Sequence, residues 1–249
     1  MTKTDNNQLD NKSNVDQWIK RRTSTQVKAL EKASKVFDDN DNLTVNSLEA
    51  IYGKESSFGS LEYLQKSYKG LSGPAGHFQQ KKEAATERGL ITKATNDQRF
   101  DIDESSISAA QQLKSLDNYF RKKTNLGSEI FTIPIANKVT REIFVIAAYN
   151  IGQGRIAKAQ ALAKSSGKSP SKWVEVAEFL IVAGAKEKQV EEVLNYVEKV
   201  LEYKGEFAEK SQANKTLKDK NLKESSLKKE GRWVTIENNR VLITNNKFS

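Results

Sequence analysis

The chain has 249 residues, 37% of them apolar, which is enough for one sizeable core or two small ones. It holds no cysteine and a single histidine, His77. That excludes disulfide frameworks, thiolate metal sites and cysteine nucleophiles, and leaves imidazole chemistry to one ring, so any catalysis has to rest on carboxylates and neither a metal nor a cofactor is expected.

A net charge of +9 suits an anionic partner: nucleic acid, an anionic membrane surface or the anionic cell wall. The basic residues are spread along the chain and no nucleic-acid recognition module is visible. A solvated surface is therefore the simpler reading, and nucleic acid is not expected as a partner.

Residues 1–14 are polar and rich in Asn and Asp, without the basic patch and apolar run of a secretory signal, so no Sec route is predicted from this stretch. Val27, Leu30, Val36 and Phe37 predict a leading helix, broken at 38–42 by side chains that compete for backbone hydrogen bonds. Residues 1–42 then form a polar N-terminal segment, and the main domain runs over 43–203. Leu48, Ile51, Tyr52 and Glu55 recur at helical spacing, which puts a carboxylate on the buried stripe beside Tyr52 and Phe58.

A glycine-rich turn follows at 73–79. Ala109, Leu113, Leu116 and Phe120 predict the next amphipathic helix, and 143–148 is apolar all round, as a central buried helix would be. Ser169 and Pro170 read as N-cap and first residue of a helix presenting Trp173, Val176, Ala177 and Leu180. Val190, Val193, Leu194, Val197 and Leu201 give one more helix face. Residues 204–230 turn to Lys, Ser, Asn and Glu, as a basic linker or a loosely held helix would. Strands at 232–236 and 240–243 flank Glu237-Asn238-Asn239 as a short hairpin module within 231–249. The longest apolar stretches, 143–149 and 179–185, are too short to span a bilayer. The predicted fold is mainly α, with a short C-terminal β-hairpin.

The residue with the most to offer chemically is Glu55. A glutamate in apolar surroundings near a helix C-terminus keeps its proton toward neutral pH, which suits it to act as a general acid. The plainer reading of the same residue is a surface glutamate at a helix end.

Five motifs bear on the choice. Glu55-Ser56-Ser57-Phe58 and Gly73-Pro74-Ala75-Gly76-His77-Phe78-Gln79 resemble Glu-Ser-x-Phe and Gly-Ala-x-Gly-Leu-Met-Gln of the lytic transglycosylase and goose-type lysozyme superfamily. Asp97-Gln98-Arg99-Phe100-Asp101, continuing through Ser105, Ser106, Ala109 and Ala110, is similar to the membrane-bound transglycosylase pattern Asp-Glu-Arg-x-Asp followed by Ser-Thr and an alanine-rich helix. Ala147-Ala148-Tyr149-Asn150-Ile151-Gly152-Gln153-Gly154 resembles Ala-Ala-Tyr-Asn-x-Gly-x-Gly, and Glu192 to Val197 is similar to the closing Glu-Thr-x-x-Tyr-Val. His77 and Phe78 stand where Leu and Met are usual, and Val193 where threonine is.

The resemblance implies a lysozyme-like helical domain acting at the bacterial cell wall on peptidoglycan glycan strands. Glu55 would serve as acid and then base. The muramyl 6-hydroxyl would attack its own anomeric carbon, assisted by the N-acetyl group, to leave a 1,6-anhydromuramyl end. Tyr149 and Asn150 would lie against the glutamate and the sugar acetamido group, and Gln79, Phe78, Ser72 and Tyr196 would contact the glycan. His77 reads as a groove or packing residue, and Gly152 and Gly154 as conformational. Proteins of a virion or secretion apparatus are a possible partner for the hairpin.

Three alternatives stay open: a goose-type lysozyme in which Asp101 or Asp103 positions a hydrolytic water, a non-enzymatic structural protein of a virion or secretion apparatus, and a basic nucleic-acid binder.

Overall fold

The computed structural model describes residues 13–67, 72–230, 232–236 and 239–243. They fall into two units, Met1–Gly205 and Glu206–Ser249.

The first unit opens with two short helices where the spacing predicted one. Ser13 caps α1 (Asn14–Arg21) by accepting from the Asp16 amide, and Thr23 with Gln26 forms a capping box at the start of α2 (Ser24–Ala33). Val15 and Trp18 of α1 are buried, as are Ala29, Leu30 and Ala33 of α2. Val36 lies in a 3-10 turn beyond α2 and is exposed, so it does not extend that face.

Helix α3 (Val45–Ser56) starts from a capping box between Thr44 and Ser47 and is buried continuously from Ser47 to Gly53. Its last turn carries Glu55. Helix α4 (Leu61–Ser67) and α5 (Lys82–Glu87) precede a two-residue ladder in which β1 (Thr92–Lys93) pairs antiparallel with β2 (Asn96–Asp97).

The centre of the unit is α6 (Ile102–Arg121), which packs on α2 and on α7 (Lys138–Ile151). Asp101 caps α6, its carboxylate accepting from the amides of Asp103 and Glu104. The all-apolar run inside α7 is buried at Phe144 to Ala148. Gly152, at φ +91°, turns the chain into α8 (Gln153–Ser165). Helix α9 begins only at Trp173 (Trp173–Ala177), and its N-cap residue is Lys172. Ser169 and Pro170 therefore do not start it. The Ser169 amide instead donates to the Glu175 carboxylate at 2.6 Å, which closes the connecting loop onto α9.

Helix α10 (Glu187–Glu230) begins in the first unit, where Val193, Tyr196, Val197 and Val200 are buried and Leu194 is exposed. The stripe is thus one residue narrower than its apolar pattern. Two buried carboxylates tie these helices together. Asp117 pairs with Arg141 at 2.6 Å, and the same guanidinium also donates to the Asn40, Ile135 and Ala136 carbonyls. Glu142 accepts from Asn42, Ser47 and Lys204. Each buried charge is met by an opposite charge and by further donors, the condition under which such a pair holds.

In the second unit α10 stays helical to Glu230, and β3 (Arg232–Ile236) pairs antiparallel with β4 (Asn239–Ile243), from Arg232↔Ile243 to Ile236↔Asn239. The second strand begins one residue earlier than its sequence pattern, and residues 237–238 of the turn lie outside the described residues. The chain is mainly α-helical, as its sequence pattern predicts. No helix among the described residues is long and apolar enough to cross a membrane.

Candidate active site

Glu55 sits where the apolar stripe of α3 runs out. The helix ends in a left-handed turn at Ser57 and Phe58, with φ of 50° and 56°, which turns the Phe58 ring inward against Tyr52 with ring centroids 4.5 Å apart. Glu55 is left half-buried at the wall of a pocket of about 390 Å³. Gln79, Gln80, Tyr149 and Asn150 line that pocket with it, together with Tyr63, Gln112 and others. Among the described lining residues Glu55 is the one carboxylate.

The Tyr196 hydroxyl, brought by α10, donates to Glu55 Oε1 at 2.5 Å. Burial pushes the Glu55 carboxyl up to about 7, and the Tyr196 hydrogen bond and the Lys54 ammonium pull the other way. The result is a carboxyl that still holds its proton near neutrality and has one oxygen engaged. Burial first, and then the nearby Glu55 charge, raise the phenols of Tyr149 and Tyr196 well above their ordinary range, so both remain neutral donors.

The opposite wall is the turn from Gly73 to Gln80. Ala75 and Gln80 bridge across it, and Arg99 pins it from below by donating to the carbonyls of Gly73 at 2.7 Å and Gln80 at 3.1 Å. Gly76 is required here. Its φ is +75°, and a Cβ would meet the Arg99 carbonyl oxygen at 1.8 Å. Tyr149 reaches the same turn from α7, its hydroxyl donating to the Phe78 carbonyl at 2.9 Å.

Of the residues singled out in the sequence, Glu55, Gln79, Tyr149, Asn150 and Tyr196 are thus brought together. Phe78 is not part of the lining. Its ring is buried, stacked on Tyr52 at 5.2 Å, because the tight turn aims the side chain into the core and leaves only the backbone carbonyl near Tyr149. Ser72 is exposed and lies outside the pocket lining. Both ring nitrogens of His77 are engaged, with the Tyr52 hydroxyl and the Phe100 carbonyl, so this ring joins α3 to the turn before α6. Asp101 is occupied as the α6 cap.

Tyr63, Gln80 and Gln112 were not legible in the sequence. Tyr63 lies in the stretch between two motifs, and the two glutamines sit at positions without a distinguishing spacing. No group of three or more His, Cys, Asp or Glu among the described residues is placed to hold a metal ion.

Two substitutions test this geometry. In Tyr196→Phe the carboxyl loses the hydrogen bond that favours its charged form, so the alkaline limb of the pH–rate profile should move upward; an unmoved limb means the contact does not tune Glu55. Tyr149→Phe keeps the ring and releases the Phe78 carbonyl. Turnover should fall while stability changes by no more than about 1 kcal/mol, measured by thermal unfolding beside the rate.

The model of the family described as Transglycosylase SLT domain matches residues 33–172. Membrane-bound lytic murein transglycosylase F of Desulfosudis oleivorans is 26% identical over 165 residues, covering 63% of this chain and 31% of that protein. The protein of the same name from Marinobacter nauticus is 45% identical over 47 residues, 19% of this chain and 9% of that protein. The chain therefore matches about a third or less of the length of either relative.

Proposed function

The chain belongs to the transglycosylase SLT domain family, and from that membership we propose that it cleaves the MurNAc-β-1,4-GlcNAc bond of peptidoglycan as a lytic transglycosylase, with Glu55 as acid and then base and residues 43–203 as the catalytic domain. The observation that carries this reading is the half-buried Glu55 carboxyl, raised to about 7 in a pocket whose other lining residues are neutral or basic.

A two-carboxylate glycosidase needs a second acid about 5 to 9.5 Å away as nucleophile or water-activating base. The described lining residues offer none, which favours attack by a group that the substrate itself supplies. Glu55 donates its proton to the leaving GlcNAc O4 as the glycosidic bond breaks, and the muramyl N-acetyl group stabilises the positive anomeric carbon. Glu55, now a carboxylate, takes the proton of the muramyl 6-hydroxyl as its oxygen bonds to C1. A single residue serves both steps because the second regenerates its acid form.

Asn150 and Gln79 supply side-chain amides for the acetamido group and the hydroxyls of the sugar, and Tyr149 and Tyr196 hold the glutamate's wall of the pocket. Ser72 is assigned to an outer sugar, and Phe78 contributes through its backbone.

Digestion of purified peptidoglycan and mass analysis of the products test the reading. Anhydromuramyl ends, lighter by one water than the hydrolysed sugar, are expected. Reducing ends alone mean hydrolysis of the goose-type lysozyme kind, and no cleavage means that the fold serves another purpose.

A further inference from the structure

Beside the catalytic pocket lies a second, smaller one of about 220 Å³, lined by Lys81, Asn150, Ile151, Arg155, Gln189 and Glu192. Lys81 and Asn150 belong to both, so the two are contiguous. The mechanism above uses none of the charged groups in this annex. Lys81 stands at the start of α5, Arg155 on α8 and Glu192 on α10, so three separate elements bring two cations and one anion to a single recess.

Neither cation forms an ion pair among the described residues. Arg155 spends one N–H on the Ile151 carbonyl at 3.0 Å, which fixes the guanidinium and leaves its other donors for a ligand. Its part-buried position makes it a firmer contact than the exposed lysine.

We propose that this annex is a subsite for the stem peptide that hangs from the muramyl residue, with Lys81 and Arg155 taking its carboxylates and Glu192 its free amine. The inference rests on the glycan-cleavage reading above and deepens it. The muramyl O3 carries a lactyl group acylated to a short peptide with acidic and diamino residues. When that sugar lies against Glu55 and Asn150, its substituent has to leave the catalytic pocket sideways, and the shared lining gives it a path. The charges match in sign and in kind: two cations and a carboxylate face carboxylates and an ammonium. A strand stripped of its peptides keeps only the lactyl carboxylate beside the ring and offers no ammonium and no carboxylate further out. Peptide-bearing strands are therefore the preferred substrate, and Arg155 is a specificity-determining residue.

The test compares kcat/KM on peptide-bearing strands with that on strands stripped of peptide by an amidase. Wild type should favour the former. Arg155→Met should lose about tenfold on peptide-bearing strands, as for a charge-assisted hydrogen bond, and lose far less on stripped ones, which keep only the lactyl carboxylate. Arg155→Lys, which retains the cation, should keep most of the preference. Equal losses on both substrates would make Arg155 a support of the fold, and no loss on either would leave the annex without this role; either overturns the proposal. A second measurement needs no variant, since the wild-type preference should shrink as salt is added, and a salt-independent preference also overturns it. If wild type cleaves neither substrate, the glycan reading itself fails and takes this one with it.

Discussion

Glu55→Gln is expected to lose at least a hundredfold, and toward ten-thousandfold, in the release of soluble fragments from peptidoglycan, which is the range of positioned acid–base catalysis. The amide keeps the shape of the side chain and an oxygen for the Tyr196 hydroxyl, but it can neither protonate the leaving oxygen nor accept the 6-hydroxyl proton. Because one residue serves both steps, the loss is not divided with a second carboxyl.

The same variant also makes a statement about stability. A folded-state carboxyl raised to about 7 from 4.5 binds its proton more tightly in the folded chain, so its contribution is full below pH 4.5 and is lost as pH rises through 7. The amide has no charge to bury. Glu55→Gln should therefore unfold no earlier than wild type at pH 5 and later than wild type at pH 8. Activity retained in the variant would remove Glu55 from the chemistry, and an earlier unfolding at pH 8 would mean the carboxylate is welcome where it sits.

Arg99→Met should cost about 3 to 5 kcal/mol, the usual consequence of removing one member of a buried ion pair. The guanidinium is fully buried. It grips both oxygens of Asp97, at 2.9 and 3.2 Å from Nε and 2.7 Å from Nη2, and donates as well to two carbonyls of the Gly73 to Gln80 turn. Methionine fills much of the volume but leaves the shielded Asp97 carboxylate without its opposite charge and takes the side-chain donor from the Gly73 and Gln80 carbonyls, of which Gln80 keeps the Ala75 amide. The unfolding midpoint should fall by roughly 10 °C, at about 2 to 4 °C per kcal/mol for a domain of this size. Turnover measured well below that midpoint should fall too, since the turn carries Gln79. An unchanged midpoint would show that the turn holds its shape without the clip.

Much of this could be seen in the sequence, and for identifiable reasons. Helices α3 and α6 announce themselves because their apolar residues repeat at helical spacing, α7 because its run is apolar all round, and Glu55 stands out as a carboxylate on the α3 stripe. The two short leading helices merge into one in the pattern, because α1 buries only Val15 and Trp18 and its start is set by a serine cap. The start of α9 was misplaced because Ser169-Pro170 satisfies the local rule for a helix start, while the Glu175 carboxylate, six residues on, holds the Ser169 amide in a loop.

In the site, Gln79, Tyr149, Asn150 and Tyr196 were found through motifs and not through periodicity. A hydrogen bond between residues 141 positions apart has no local signature. Phe78 shows the limit of motif reading, since it stands in the right turn with its ring pointing the other way.

The bond from Tyr196 to Glu55 has a consequence in time. A ribosome makes Glu55 early, Tyr149 much later and Tyr196 later still, beyond the last residue of the stretch that matches the family. Until α10 has been synthesised and has docked, the wall of the pocket that it supplies does not exist. The order of the chain thus delays the Tyr196 hydrogen bond to the end of the first unit's synthesis, and a growing polypeptide carries Glu55 without that partner.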